Sequence, residues 1–73
     1  MNNLNYIELK VEMLRHSDTG QELAKSMGIG YQTLSDKKKK KKDFKRSEIE
    51  FIKERYELNP ERVDEIFFAN TVS

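Results

Sequence analysis

Only three glycines and one proline interrupt these 73 residues. Folds made of strands and tight turns use many more of both, so the scarcity argues against a sheet-rich chain. The apolar residues agree, because they recur at helical spacing. Leu4, Ile7, Val11 and Leu14 follow one another at intervals of 3, 4 and 3 residues. That spacing predicts one buried stripe on a first helix over residues 4–16. His16-Ser17-Asp18 then reads as a break, with His16 placed to interact with the helix dipole.

Capping signals divide the rest of the chain. Thr19-Gly20-Gln21-Glu22 has the form of a capping box, with Thr19 and Glu22 satisfying each other's backbone N–H groups. A second helix over 20–27 follows, with Leu23, Ala24 and Met27 on one face. Gly28 suits the left-handed backbone that closes a helix, and Ile29 is an apolar residue in the turn. A third helix starts near Gly30 and runs through Leu34. Beyond it Lys37 to Lys42 are all lysine, which either prolong the helix by a turn or form a loop. Ser47-Glu48-Ile49-Glu50 reads as a second capping box. It opens a fourth helix through Leu58, with Ile49, Ile52 and Tyr56 inward and Phe51 nearby. Asn59-Pro60 starts a fifth, since Asn caps and Pro fits the first helical turn. Val63, Ile66 and Phe67 form its apolar face. Phe68 completes the core or an interface, and residues 70–73 are expected to fray.

Length and charge bound what such a chain can do. The 73 residues make one domain, and a domain of this size buries only about 60% of its unfolded surface. There is no cysteine and one histidine, so neither a disulfide framework nor a thiolate metal site is expected, and no cofactor. No apolar run approaches the roughly 20 residues of a membrane span. The first residues lack the pattern of a signal peptide, so the expected place is the cytoplasm. The carboxylates are scattered and no nucleophile stands beside a base, so catalysis is not expected. The net charge of +1 hides a segregation. Residues 1–36 carry 3 bases and 5 acids (−2), residues 37–46 carry 8 and 1 (+7), and residues 47–73 carry 3 and 7 (−4). The positive field comes almost entirely from one segment.

Residues 19–36 carry the functional signal. Two helices that cross closely through a tight turn need a small residue on the first, and Ala24 supplies it. They need a residue tolerant of positive φ in the turn, and Gly28 supplies it. Leu23, Met27, Ile29 and Leu34 then plug the interface, which is the helix-turn-helix pattern. The segment resembles the Cro and repressor type helix-turn-helix family, also called XRE-like. Phe44, Ser47-Glu48-Ile49, Ile52, Tyr56 and the stretch from Val63 to Phe68 extend the resemblance over nearly the whole chain. It is similar to short early regulators of temperate phages of Gram-positive bacteria, namely Cro-like proteins and modulators of repression. The resemblance implies a compact all-α, five-helix domain spanning 1–73, in a bacterial host cell.

The resemblance also implies roles. The third helix would enter the major groove of double-stranded DNA, presenting Tyr31, Gln32, Ser35 and Asp36 to base edges. Gln32 can pair with adenine, Asp36 can accept from cytosine, and Tyr31 can meet a thymine methyl or a phosphate. Gln21 would bond a phosphate at the start of the second helix. Lys37, Lys41 and Lys45 would neutralise phosphates. A homodimer on paired half-sites is one expectation. Two departures from the family pattern weigh against a simple DNA reader. Lysines stand where the family has an apolar residue near 38 and a turn glycine near 40, which predicts a weakened end to the third helix. Tyr31 to Asp36 contain no base, and the chain without Lys37 to Lys42 carries −5. The alternative partner is therefore the phage repressor protein, which an acidic helical surface would cover as an antirepressor.

Overall fold

A computed structural model of the chain describes residues 4–39 and 42–68. Lys40, Lys41 and the stretch 69–73 lie outside the described residues, and with them the expected tail and one expected phosphate contact. Among the described residues there are five helices and no strand. They are α1 (Tyr6–Arg15), α2 (Gly20–Met27), α3 (Tyr31–Lys38), α4 (Arg46–Arg55) and α5 (Pro60–Phe67). They pack into a body with a radius of gyration of 11.4 Å.

Each helix start has a local cause. Asn5 Oδ1 accepts from the Glu8 N–H at 3.3 Å, so α1 begins at Tyr6 rather than at residue 4. Thr19 Oγ1 accepts from the Glu22 N–H at 3.1 Å, and Asn59 Oδ1 from the Arg62 N–H at 2.8 Å. The start of α4 lies earlier than the sequence suggested. Its cap is Lys45, whose N–H donates to Glu48 Oε1 at 2.8 Å. Ser47 is inside the helix, and the acid that closes the cap is Glu48, not Glu50. The first N–H groups need one acceptor three residues on, and Glu48 is held there by a second partner described below.

Three helices end in the same way. At the close of α2, Gly28 has φ 77° and donates to Lys25 O at 3.1 Å, while Ile29 donates to Ala24 O at 3.0 Å. This is the paired-bond ending that a left-handed residue permits. Ser17 (φ 53°) repeats it after α1, with Ser17 bonding Leu14 O and Asp18 bonding Met13 O. Glu57 (φ 54°) repeats it after α4, with Leu58 bonding Lys53 O. That left-handed residue is why α4 stops at Arg55 and not at Leu58.

The core joins Leu23, Ala24, Leu34, Ile52, Tyr56, Val63, Ile66 and Phe67, all as the spacing predicted, with Leu4, Leu9, Met13 and Leu58. Phe67 is buried and Phe68 is half exposed. Phe44 meets Phe67 edge-on at 5.4 Å. Of the expected first-helix stripe, Leu4 is buried and Val11 half-buried, but the rest faces outward. Ile7 is 71% and Leu14 68% exposed, and the inward face is Leu9, Glu12 and Met13. The charge on Glu12 disguised that face. Its carboxylate is buried against Arg62, with Nε at 2.6 Å from Oε2. Arg62 also reaches Glu8 at 2.7 Å and Glu65 at 2.9 Å. A buried carboxylate so paired behaves as part of the packing, because its charge is met inside.

Candidate functional site

Residues 28–30 join α2 to α3, and the two helices pack closely. Ala24 is buried where they cross, and Leu23 and Leu34 are fully buried beside it. Gly28 holds the turn, and Ile29 and Met27 pack half-buried against the core. This geometry leaves the outer side of α3 and the start of α2 accessible.

The four expected base-reading residues lie on α3. Tyr31, at the first position, is 50% exposed. Gln32 is exposed, while Ser35 and Asp36 are half-buried. Gln32 Nε2 donates to Asp36 Oδ1 at 3.1 Å. The amide is thus shared with the acid one turn on, which leaves its second N–H, its carbonyl oxygen and Asp36 Oδ2 for other partners. Gln21 is exposed on the first turn of α2.

The expected phosphate contacts divide. Lys45 is exposed beside the start of α4, with Arg46 exposed next to it. Lys41 lies outside the described residues. Lys37 is only 4% exposed. Its ammonium donates to Asp43 O at 3.0 Å, pairs with Glu48 Oε1 at 3.0 Å, and lies 5.9 Å from the Phe44 ring centroid. An ammonium so enclosed is committed within the chain. The expectation that Lys37 faces phosphate is therefore corrected. Of the two forms open to the lysine run, its start takes the first and prolongs α3 by a turn. The helix continues through Lys38, and Lys37 ties its end to α4.

One residue at this site was missed. Lys38 stands two turns beyond Tyr31, on the same side of α3. Its ammonium lies 5.5 Å from the Tyr6 ring centroid and 5.8 Å from that of Tyr31, within cation–π range of both. It also closes over the start of α2. A Cβ built on Gly20 would stand 3.0 Å from Lys38 Nζ and 3.0 Å from Tyr31 Cε1. The signal was the seven-residue interval from Tyr31, which the uniform lysine run concealed. The exposed side of the α2–α3 pair therefore gathers Gln21, Tyr31, Gln32 and Lys38. Lys39 is exposed at the end of α3.

A second polar cluster sits away from this face. Asp18 accepts from Arg55 Nε at 2.8 Å, from Arg55 Nη2 at 2.9 Å and from the Tyr56 hydroxyl at 2.5 Å. Arg55 Nη1 continues to Ser26 Oγ at 3.0 Å. The Arg55 hydrogen bonds hold the Asp18 carboxyl below the usual carboxylate range, against the opposing effect of burial. Burial first, and then the hydrogen bond it donates to Asp18, push the Tyr56 hydroxyl above its ordinary value. His16 caps α1, with Nδ1 at 2.9 Å from Glu12 O, and stacks on Tyr56 at 4.9 Å. Asp18, Arg55 and Tyr56 are committed to one another, which makes this cluster a tie from the α1–α2 junction to α4. Among the described residues no group of three His, Cys, Asp or Glu side chains is placed to hold a metal ion. No described helix is long and apolar enough to cross a membrane.

No family model, curated protein or solved structure matches the chain. The likeness to Cro and repressor type proteins thus rests on the residues named above.

Proposed function

We propose that this chain is a helix-turn-helix transcriptional regulator that binds operator DNA in the lysis–lysogeny switch of a temperate phage. The observation that carries the reading is the exposed side of the α2–α3 pair. Tyr31 and Gln32 project at the start of α3, Gln21 opens α2 beside them, and the Lys38 ammonium stands between the two helices. In this reading α3 lies in the major groove, and Gln32 pairs with adenine N6 and N7 through its carbonyl oxygen and one N–H, the other held by Asp36. Gln21 and Lys38 meet phosphates at the start of α2, where the backbone N–H groups already favour an anion. Lys39, Lys45 and Arg46 supply sequence-independent attraction.

The test is an anisotropy titration. One duplex carries the promoter region beside the chain's own coding sequence, and the other is random. Promoter binding at least tenfold tighter at about 150 mM salt supports the reading. Gln32→Ala should weaken promoter binding by about 1–3 kcal/mol and leave random binding unchanged. Equal affinity for both duplexes, lost together as salt rises, would defeat it.

One observation favours a second reading. Lys37 is neutralised within the chain, so the positive segment is weaker than its composition suggests. An acidic body with a reduced basic segment suits an antirepressor that covers the basic DNA-reading surface of the partner phage repressor. Co-elution with that repressor, abolished at high salt, supports it. No association at micromolar concentrations removes it.

A further inference from the structure

Helix α1 has two apolar faces. Leu9 and Met13 point inward with Glu12. Ile7, Val11 and Leu14 stand one turn apart along the helix, and their mean direction is about 180° from the buried face. Ile7 is 71% exposed, Leu14 68%, and Val11 between them is half-buried. A helix that is apolar on opposite sides is normally covered on both. Three side chains at i, i+4 and i+7 form the seam by which one helix lies along another.

The flanking charges indicate what lies there. Glu8 and Arg15 are seven residues apart and share one flank of the seam. The Glu8 side chain is 37% exposed and the Arg15 side chain 68%. Glu8 Oε1 also meets Arg62 at 2.7 Å and Arg15 lies 3.6 Å from Glu12, so a pair across the axis extends these bridges. Two copies of α1 laid antiparallel about a two-fold axis through Val11 bring Ile7 of each opposite Leu14 of the other. Val11 then meets Val11. The same register sets Glu8 against Arg15 of the second copy, twice. Antiparallel packing also places each helix's acidic N-terminal turn beside the other's basic C-terminal turn, where the dipoles attract.

We infer that the Ile7–Val11–Leu14 face of α1 is a homodimer interface, in which α1 packs antiparallel on α1 of a second copy. The inference is independent of the DNA-binding reading, since nothing on this face takes part in that site. The dimer is weak, because a ten-residue helix is about 15 Å long and covers less than the roughly 800 Å² per partner of a standard interface.

Sedimentation equilibrium of the full chain tests this, at protein concentrations from about 10 µM to 1 mM. The expected result is a reversible monomer–dimer equilibrium within that range. Leu14→Glu and Ile7→Glu should each shift it at least tenfold toward monomer, with unchanged helical circular dichroism, because both side chains face away from the core. Arg15→Glu should weaken the dimer several-fold. A chain that stays monomeric at 1 mM overturns the inference, including a monomer whose α1 face instead holds a different protein. So does a dimer indifferent to Leu14→Glu. A dimer that Arg15→Glu leaves unchanged overturns the antiparallel register.

Discussion

The turn into α3 and the segment out of it are built by opposite means. Before α3, the chain turns on backbone conformation. Gly28 takes φ 77°, two backbone bonds close α2, and Ile29 packs inward. After α3, no glycine is available, and the closure depends on side-chain charge. Lys37 is drawn inside, where Asp43 O and the Glu48 carboxylate receive its ammonium and Phe44 lies alongside. Glu48 meanwhile accepts from the Lys45 N–H and so starts α4. One buried ion pair thus ends one helix and begins the next. The first connection should tolerate changes of charge and fail on a change of backbone preference. The second should do the reverse.

The largest expected effect is at Lys37. Lys37→Met keeps an apolar stem of similar length but leaves Glu48, 13% exposed, without its cation. Removing one partner of a buried pair costs more than the pair contributes. The expected loss is about 2–4 kcal/mol, read as the midpoint of urea unfolding. Adding Glu48→Gln removes the stranded charge while leaving an oxygen for the Lys45 N–H, and should recover about half of that. A neutral Lys37→Met variant would show that only the stem matters. The contrast between the two connections would then collapse.

This contrast also governs what was legible beforehand. The α2–α3 turn could be read residue by residue, because Thr19, Ala24, Gly28 and Ile29 act through local geometry that their chemistry dictates. The five helices and most of the core were readable for the same reason. Three features were not. The inward face of α1 was hidden because Glu12 looks like a surface residue until Arg62, fifty positions later, neutralises it. The ends of α1 and α4 lie at Ser17 and Glu57, two residue types that carry no left-handed signal. The lysine run offered six identical side chains, and only the fold distinguishes Lys37, which is buried, from Lys38, which covers two tyrosine rings. At the candidate site the positions on α3 were foreseeable from the motif. The Gln32–Asp36 bond and the placing of Lys38 depend on which rotamers meet.

A second charge-based tie extends the comparison to the α1–α2 junction. Asp18 has a usual value of 3.8, lowered in the folded chain chiefly by Arg55. A carboxyl whose value falls on folding stabilises the fold above its unfolded value. That stability is lost as pH drops through the folded value. Asp18→Asn should cost about 1.5–3 kcal/mol at pH 6, the range for hydrogen bonds to a charged group. The gap between the two chains should narrow as pH falls through about 4 and below. Urea midpoints measured from pH 6 to pH 2 check this. A gap that stays constant with pH would mean the tie works through shape and not charge.

The smallest effects lie in the backbone and have opposite signs at two equivalent places. A Cβ at Gly28 would meet nothing within 4 Å, so Gly28→Ala tests conformation alone. A left-handed L-residue costs about 1–2 kcal/mol, and the variant should melt several degrees lower. Ser17 holds the same role after α1 with that strain already present. Ser17→Gly relieves it, against about 0.5–1 kcal/mol of extra unfolded-chain entropy. The net gain should be about 0.5–1 kcal/mol. The pair of substitutions forms a balance, because both positions have the same backbone geometry and the same two bonds. If Ser17→Gly lowers the melting temperature, a local role for the Ser17 side chain outweighs the strain. The α1 ending would then belong with the exit from α3, among connections held by side chains. If it raises the melting temperature, backbone conformation governs the endings of α1 and α2 alike, and the α3 exit stands apart because its lysines leave no residue suited to a left-handed turn.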